Sequence, residues 1–155
     1  MKTWLVFIQM FVYVSLFSQQ ITPLDSSIWK SNYQDALKAA NQKNLPILIV
    51  FSGSDWCKPC IKLREQILVK PAFTAWAQSN VVCVTADFPR QKKNVLSPAQ
   101  QKQNDALAEK FNRNGLFPLV LLVDKNEKAL GYKTYEDVTP EKFAQELSEI
   151  ISKGR

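Results

Sequence analysis

The sequence predicts an α/β domain, a mixed central sheet with helices on both faces. Three observations lead there. Apolar runs of strand length alternate with segments of helical period. The early runs are joined by helical crossovers, which imply parallel strands. The last two strand candidates are separated by a turn alone, which adds an antiparallel pair. At 155 residues the chain fits one domain, large enough to bury a core without disulfide staples.

The N-terminus differs in composition from the rest. Lys2 precedes an apolar stretch from Trp4 to Phe17, and Ser18 supplies a small residue after it, the pattern of a secretory signal. The stretch is shorter than the ~20 residues a transmembrane helix needs. Leu16 is a poor residue near a cleavage site, so a signal peptide over 1–18 and an uncleaved anchor both stand. Residues 19–28 read as an entry segment and 29–155 as the domain. Membrane association is expected only if the segment stays uncleaved. The expected compartment is periplasmic or secreted, an oxidising setting.

Asn32 to Asn41 carries Tyr33, Ala36, Leu37 and Ala40 on one helical face. Lys43-Asn44-Leu45-Pro46 ends it. Ile47 to Phe51 is a continuous apolar strand, suited to the middle of a sheet. A helix is expected from about Lys58 to Lys70, interrupted by Pro71 and resumed over Ala72 to Gln78. Val81 to Ala86 is the next buried strand. Asp87 to Ser97 is an extended connection whose Arg90, Lys92 and Lys93 read as a solvated loop, with a partner site as the alternative. Ser97-Pro98-Ala99-Gln100 supplies a cap, a first-turn proline and a glutamine three residues on, opening a helix to about Asn112. Asn114-Gly115 is a stop. Leu119 to Val123 and Ala129 to Tyr132 flank the turn Asp124 to Glu127, and Thr139-Pro140 opens a last helix with Phe143, Leu147, Ile150 and Ile151 on one face.

The net charge of +6 comes from lysines dispersed along the chain, which marks a solvated surface and argues against a nucleic-acid partner. The chemistry concentrates in Cys57-Lys58-Pro59-Cys60, directly after the Ile47 strand. Two intervening residues let one helical turn bring both sulfurs together. A cysteine at a helix start is also favoured as thiolate, the form that attacks disulfides. A zinc site needs about four ligands, and the chain has no histidine and one further cysteine, Cys83. No metal or other cofactor is expected. An inert structural disulfide remains the plain alternative for the pair.

Strand, Trp-Cys-Xaa-Xaa-Cys, helix, then Phe117-Pro118 before a strand and hairpin: from Trp29 to Ser152 the chain resembles the thioredoxin family. The run from Gly53 to Leu63 and the Val84 to Arg90 stretch are similar to exported thioredoxin-like proteins common in Bacteroidetes-type bacteria. The resemblance implies a thioredoxin fold and a thiol–disulfide oxidoreductase of the cell envelope. Cys57 would be the nucleophile and Cys60 the resolving thiol. Trp56, Lys58, Pro59 and Phe117 would shape the substrate surface, with Pro118 as the family's cis-proline. Pro59 before the resolving cysteine is similar to the reducing members. Partners would be disulfide-containing or dithiol proteins and an envelope electron donor or acceptor. Two departures go with this. Counting back from Cys57 puts Phe51 where the family often has a buried aspartate, and Cys83 falls where its lysine partner lies. Cys83 reads as a small buried hydrophobe, with a third redox thiol beneath Cys60 as the sharper alternative. The competing functions are a secreted interaction module and a redox-coupled chaperone on the same scaffold.

Overall fold

The structure, a computed structural model, describes residues 23–154. The expected signal segment, 1–18, lies outside the described residues. The chain enters through a two-residue strand, β1 (Trp29–Lys30), and α1 (Tyr33–Lys43). Asn32 caps α1 by accepting from Asp35 N, and Asn44 ends it in the left-handed region at φ 53°. β2 (Ile47–Ser52) leads to α2 (Lys58–Leu63), which continues as a π-helical turn over Arg64–Leu68. Then come α3 (Pro71–Asn80), β3 (Val82–Asp87), a 3-10 turn at Lys92–Asn94, and α4 (Pro98–Phe111). β4 (Leu119–Val123), β5 (Ala129–Lys133) and α5 (Pro140–Gly154) complete the fold.

The five strands lie in the order β1-β3-β2-β4-β5. β3 pairs in parallel with β1 and β2, and β4 runs antiparallel to β2 and β5. The mixed sheet is the one the sequence predicts. Beyond that expectation, β1 adds an edge strand too short to leave a pattern. The helix expected over Lys58 to Lys70 becomes α2 plus the π turn. That wider turn leaves Leu63, Ile67 and Leu68 all buried on the sheet. Pro71, which lacks the N–H a helix interior needs, starts α3 instead.

Side chains alternate across a strand, so the sheet separates two cores. Leu48, Val50, Cys83, Val120 and Leu122 pack with Leu63, Phe73, Phe143 and Leu147 of α2, α3 and α5. Ile47, Ile49, Phe51, Val84 and Leu121 pack with Tyr33, Ala36 and Leu107 of α1 and α4. Full burial of each large apolar side chain contributes about 1.5–3 kcal/mol. Together these layers hold the ends of β2 and β3 rigidly side by side, with Ser52 opposite Asp87.

Candidate active site

Past Ser52 the chain turns through Gly53–Trp56 into α2. The Gly53 carbonyl accepts from Trp56 N at 3.2 Å and Cys57 N at 2.9 Å. A Cβ on Gly53 would sit 2.3 Å from the Trp56 ring, so this close approach requires glycine. Ser54 donates to the Asp87 carboxylate through both N and Oγ, which ties the turn to the end of β3. Cys57 is the N-cap of α2. Its Sγ accepts from Cys60 N at 3.3 Å and is bonded to Cys60 Sγ at 2.05 Å. Cys57 keeps 5% of its surface exposed, while Lys58 and Pro59 are open to solvent. Once the disulfide is reduced, unpaired first-turn N–H groups and the helix dipole stabilise negative charge on the N-cap sulfur.

An aromatic cluster flanks the pair. The Phe117–Pro118 peptide bond is cis, and Pro118 itself is buried. The Phe117 ring meets Trp56 edge-on at 5.5 Å and Phe88 at 5.6 Å. Trp56 Nε1 donates to the Phe88 carbonyl at 2.7 Å. The Arg90 guanidinium lies 3.7 Å from the centre of the Trp56 ring, a stacked cation–π contact. Asp55 organises the same region. Its carboxylate accepts from Arg90 N, Gln91 N and Asn94 Nδ2, each at 2.9 Å, and its carbonyl accepts from Gln91 Nε2 at 3.1 Å. Desolvation pushes the Asp55 carboxyl upward, but the hydrogen bonds from Arg90, Asn94 and Gln91 outweigh it and hold the group below the usual carboxylate range.

Neither Phe51 nor Cys83, the positions where the family often has an acid–base pair, lines the cavity beside Cys60. Phe51 is fully buried on the α1/α4 face, away from Cys60. Strand alternation puts Val50 and Ser52 on the side of Cys60, where they line a cavity of about 350 Å³ with Ser54, Cys60, Arg64 and Asp87. Thr85, not Cys83, is the β3 residue beside Val50. Cys83 sits opposite Leu48, deeper along the strand, and does not line that cavity. Burial pushes its thiol up to about 12, which leaves it protonated at neutral pH.

Comparison with known proteins agrees with this geometry. Residues 28–125 match the family described as thioredoxin-like. The chain belongs to the thioredoxin-like family. Within it, the chain is 34% identical over 120 residues to the disulfide bond reductase DsbH of Chlamydia pneumoniae, covering 76% of this chain and 70% of that protein. It is 33% identical over 127 residues to the thioredoxin-related protein DsbJ of the same organism. That match covers 82% of this chain but spans about a third, 36%, of DsbJ. A solved DsbH oxidoreductase superposes with a TM-score of 0.75 at 28% identity, over 80% of this chain and 83% of that one. A thioredoxin-like chain with a Cys-Xaa-Xaa-Cys disulfide at a helix N-cap carries out thiol–disulfide exchange.

The structure places Trp56, Cys57, Lys58, Pro59 and Cys60 in one turn, with Phe117 packed against Trp56 and Cys83 apart. Sequence reasoning reads Asp55 as an exposed or capping residue and Arg90 as part of a solvated loop, and does not join Asp55, Asp87, Phe88 and Arg90 to one another around the motif. Their bonds join positions 32 to 36 residues apart. The one local signal was the Asp87-Phe88-Pro89-Arg90 run at the end of a strand predicted to lie beside the motif.

Proposed function

We propose that the chain is a reductase of the cell envelope, acting on disulfide-containing proteins. The observation that carries this reading is the Cys57–Cys60 disulfide at the N-cap of α2, with Cys57 next to Trp56 and followed by the exposed Lys58 and Pro59. In the reduced chain, Cys57 thiolate attacks one sulfur of a substrate disulfide. The substrate S–S bond breaks, the electron pair leaves with the second substrate sulfur, and a mixed disulfide with Cys57 remains. Cys60 then gives up its proton and attacks Cys57 Sγ, expelling the first substrate sulfur as thiolate. Two electrons have passed to the substrate, and the chain ends as the Cys57–Cys60 disulfide. An envelope dithiol donor restores the reduced form. Asp87, which lines the same cavity as Cys60, is the carboxylate we assign to take up the Cys60 proton.

The reducing direction is supported by the relative named disulfide bond reductase and by Pro59 before the resolving cysteine. The apolar run at residues 4–17 supports export, with 1–18 as the signal segment and 29–155 as the catalytic domain. Trp56 and Phe117 form the surface on which the substrate segment lies. The test is the reduction potential of the pair, set by equilibration with dithiothreitol and glutathione buffers. It is combined with turnover of insulin disulfides by wild type and Cys57→Ser. A reductase gives a value near about −270 mV and a variant without activity. A value near about −120 mV makes the chain an oxidant. Full activity in Cys57→Ser removes the pair from the chemistry.

A further inference from the structure

The loop after β3 is built into the redox motif. Asp55, two residues before Cys57, holds Arg90, Gln91 and Asn94 by four hydrogen bonds. Arg90 is stacked on Trp56, and Trp56 is bonded back to Phe88. The loop is therefore clamped at both of its inner positions to the residues next to the reactive sulfur. The clamping fixes where its charges stand. Arg90, Lys92 and Lys93 are exposed on it, and Lys58 is exposed within the motif itself.

Among the described residues, the ion pairs join Lys110, Lys133 and Lys142 to Glu127, Glu136 and Glu146, and include none of these four cations. The two carboxylates that could neutralise them are already engaged. Asp55 is saturated by loop donors, and Asp87 is held by Ser54. The loop also presents Val95 at 76% exposure, and Leu116 stands 41% exposed next to Phe117. A pre-positioned group of cations outside any ion pair, with apolar side chains beside it and tied to the residues next to the redox pair, has the make-up of a protein-docking edge.

We propose that the segment Arg90–Val95 is a cationic docking arm that selects protein substrates carrying acidic residues beside their disulfide. Lys92 and Lys93 attract the acidic flank, Lys58 extends the positive field to the motif, and Val95 takes an apolar neighbour. A protein segment is the occupant that fits. The arm is tied to Asp55 and Trp56, the two residues before Cys57, so a chain segment held on it lies beside the redox pair, where a disulfide substrate must also lie. The proposal rests on the oxidoreductase reading for its purpose, and its test is arranged to separate the two.

Binding is measured by fluorescence anisotropy, using a labelled peptide with Asp and Glu flanking a Ser-Xaa-Xaa-Ser stand-in for the disulfide. A second peptide carries Lys at the flanking positions. At low ionic strength the full-length protein is expected to bind the acidic peptide at least about tenfold more tightly than the lysine peptide. Salt should abolish that preference as the Debye length falls below about 3 Å near 1 M. Lys92→Glu combined with Lys93→Glu should lower the affinity ratio at least about tenfold. Equal binding of both peptides by wild type, or an unchanged ratio in the double variant, overturns the arm. Binding to phosphatidylglycerol vesicles without preference for the acidic peptide also overturns it, in favour of a membrane surface. Reduction of 2-hydroxyethyl disulfide, a small uncharged probe, is followed in parallel. Loss of that turnover with the peptide preference intact supports the arm and removes the reductase reading instead.

Discussion

Cys60 must lose a proton before it can resolve a mixed disulfide, yet it is almost fully buried and has no aspartate above it at position 50 or 51. The polar wall of its cavity offers Asp87, tethered to Ser54. Asp87→Asn keeps the size of the side chain and an acceptor for Ser54 N while removing the base. The mixed disulfide between Cys57 and a model substrate should then persist about a hundredfold longer or more at neutral pH, the usual effect of a lost general base. Raising the pH should restore the rate, because hydroxide takes over proton removal. Mass spectrometry of acid-quenched samples across pH reads this directly, and a uniform slowing at every pH would count against Asp87. Cys83 leads to the opposite expectation. Its raised thiol value and complete burial make it packing. Cys83→Ala should leave disulfide exchange intact and cost about 1 kcal/mol, as for loss of one buried methyl-sized group, measured by urea unfolding. The two reactive cysteines were legible in the sequence because their spacing is local. Asp87 was not, because its partner Ser54 is 33 residues away and only the register of β2 on β3 joins them.

At the level of elements, strands and helices followed their patterns, and the connections did not. The continuous apolar run of β2 and the Ser97-Pro98 start of α4 each have a cause within a few residues, so they could be read directly. β1 is two residues long, and the π turn answers to packing against the sheet, which no short-range period encodes. The segment from Phe88 to Val95 looked like a solvated connection because its lysines are solvated. What orders it is Asp55, far off in sequence. That carboxyl is held below its ordinary range, so anchoring stabilises the loop above the unfolded value and is lost as pH falls through the lower folded value. Asp55→Ala should mimic acidification. Hydrogen exchange at the Arg90 and Gln91 amides should speed up at least about tenfold. Protection of the β3 amides should stay unchanged. Protection retained at Arg90 and Gln91 would mean the Trp56 stack alone orders the loop.

Across the whole molecule, what reacts sits at the ends of the strands and what holds the fold lies deeper along them. The reactive turn, the aromatic cluster and the charged loop all gather where β2 and β3 end in parallel, the usual place for function in open α/β sheets. The core that α3 and α5 share with α2 extends away from that turn. Phe143 is fully buried there, with Phe73 at 6.4 Å and the Lys133 ammonium 5.4 Å from its ring. None of these partners belongs to the reactive turn. Phe143→Ala should cost about 3–5 kcal/mol. That is a large share of the roughly 5–15 kcal/mol margin of a domain this size. The cost should appear as a lower urea midpoint at unchanged slope, since the surface exposed on unfolding is nearly the same. The rate of disulfide reduction per folded molecule, measured well below that midpoint, should equal that of wild type. A fall in that rate would mean that packing between α5 and the sheet also sets the geometry of α2, which shares that face of the sheet.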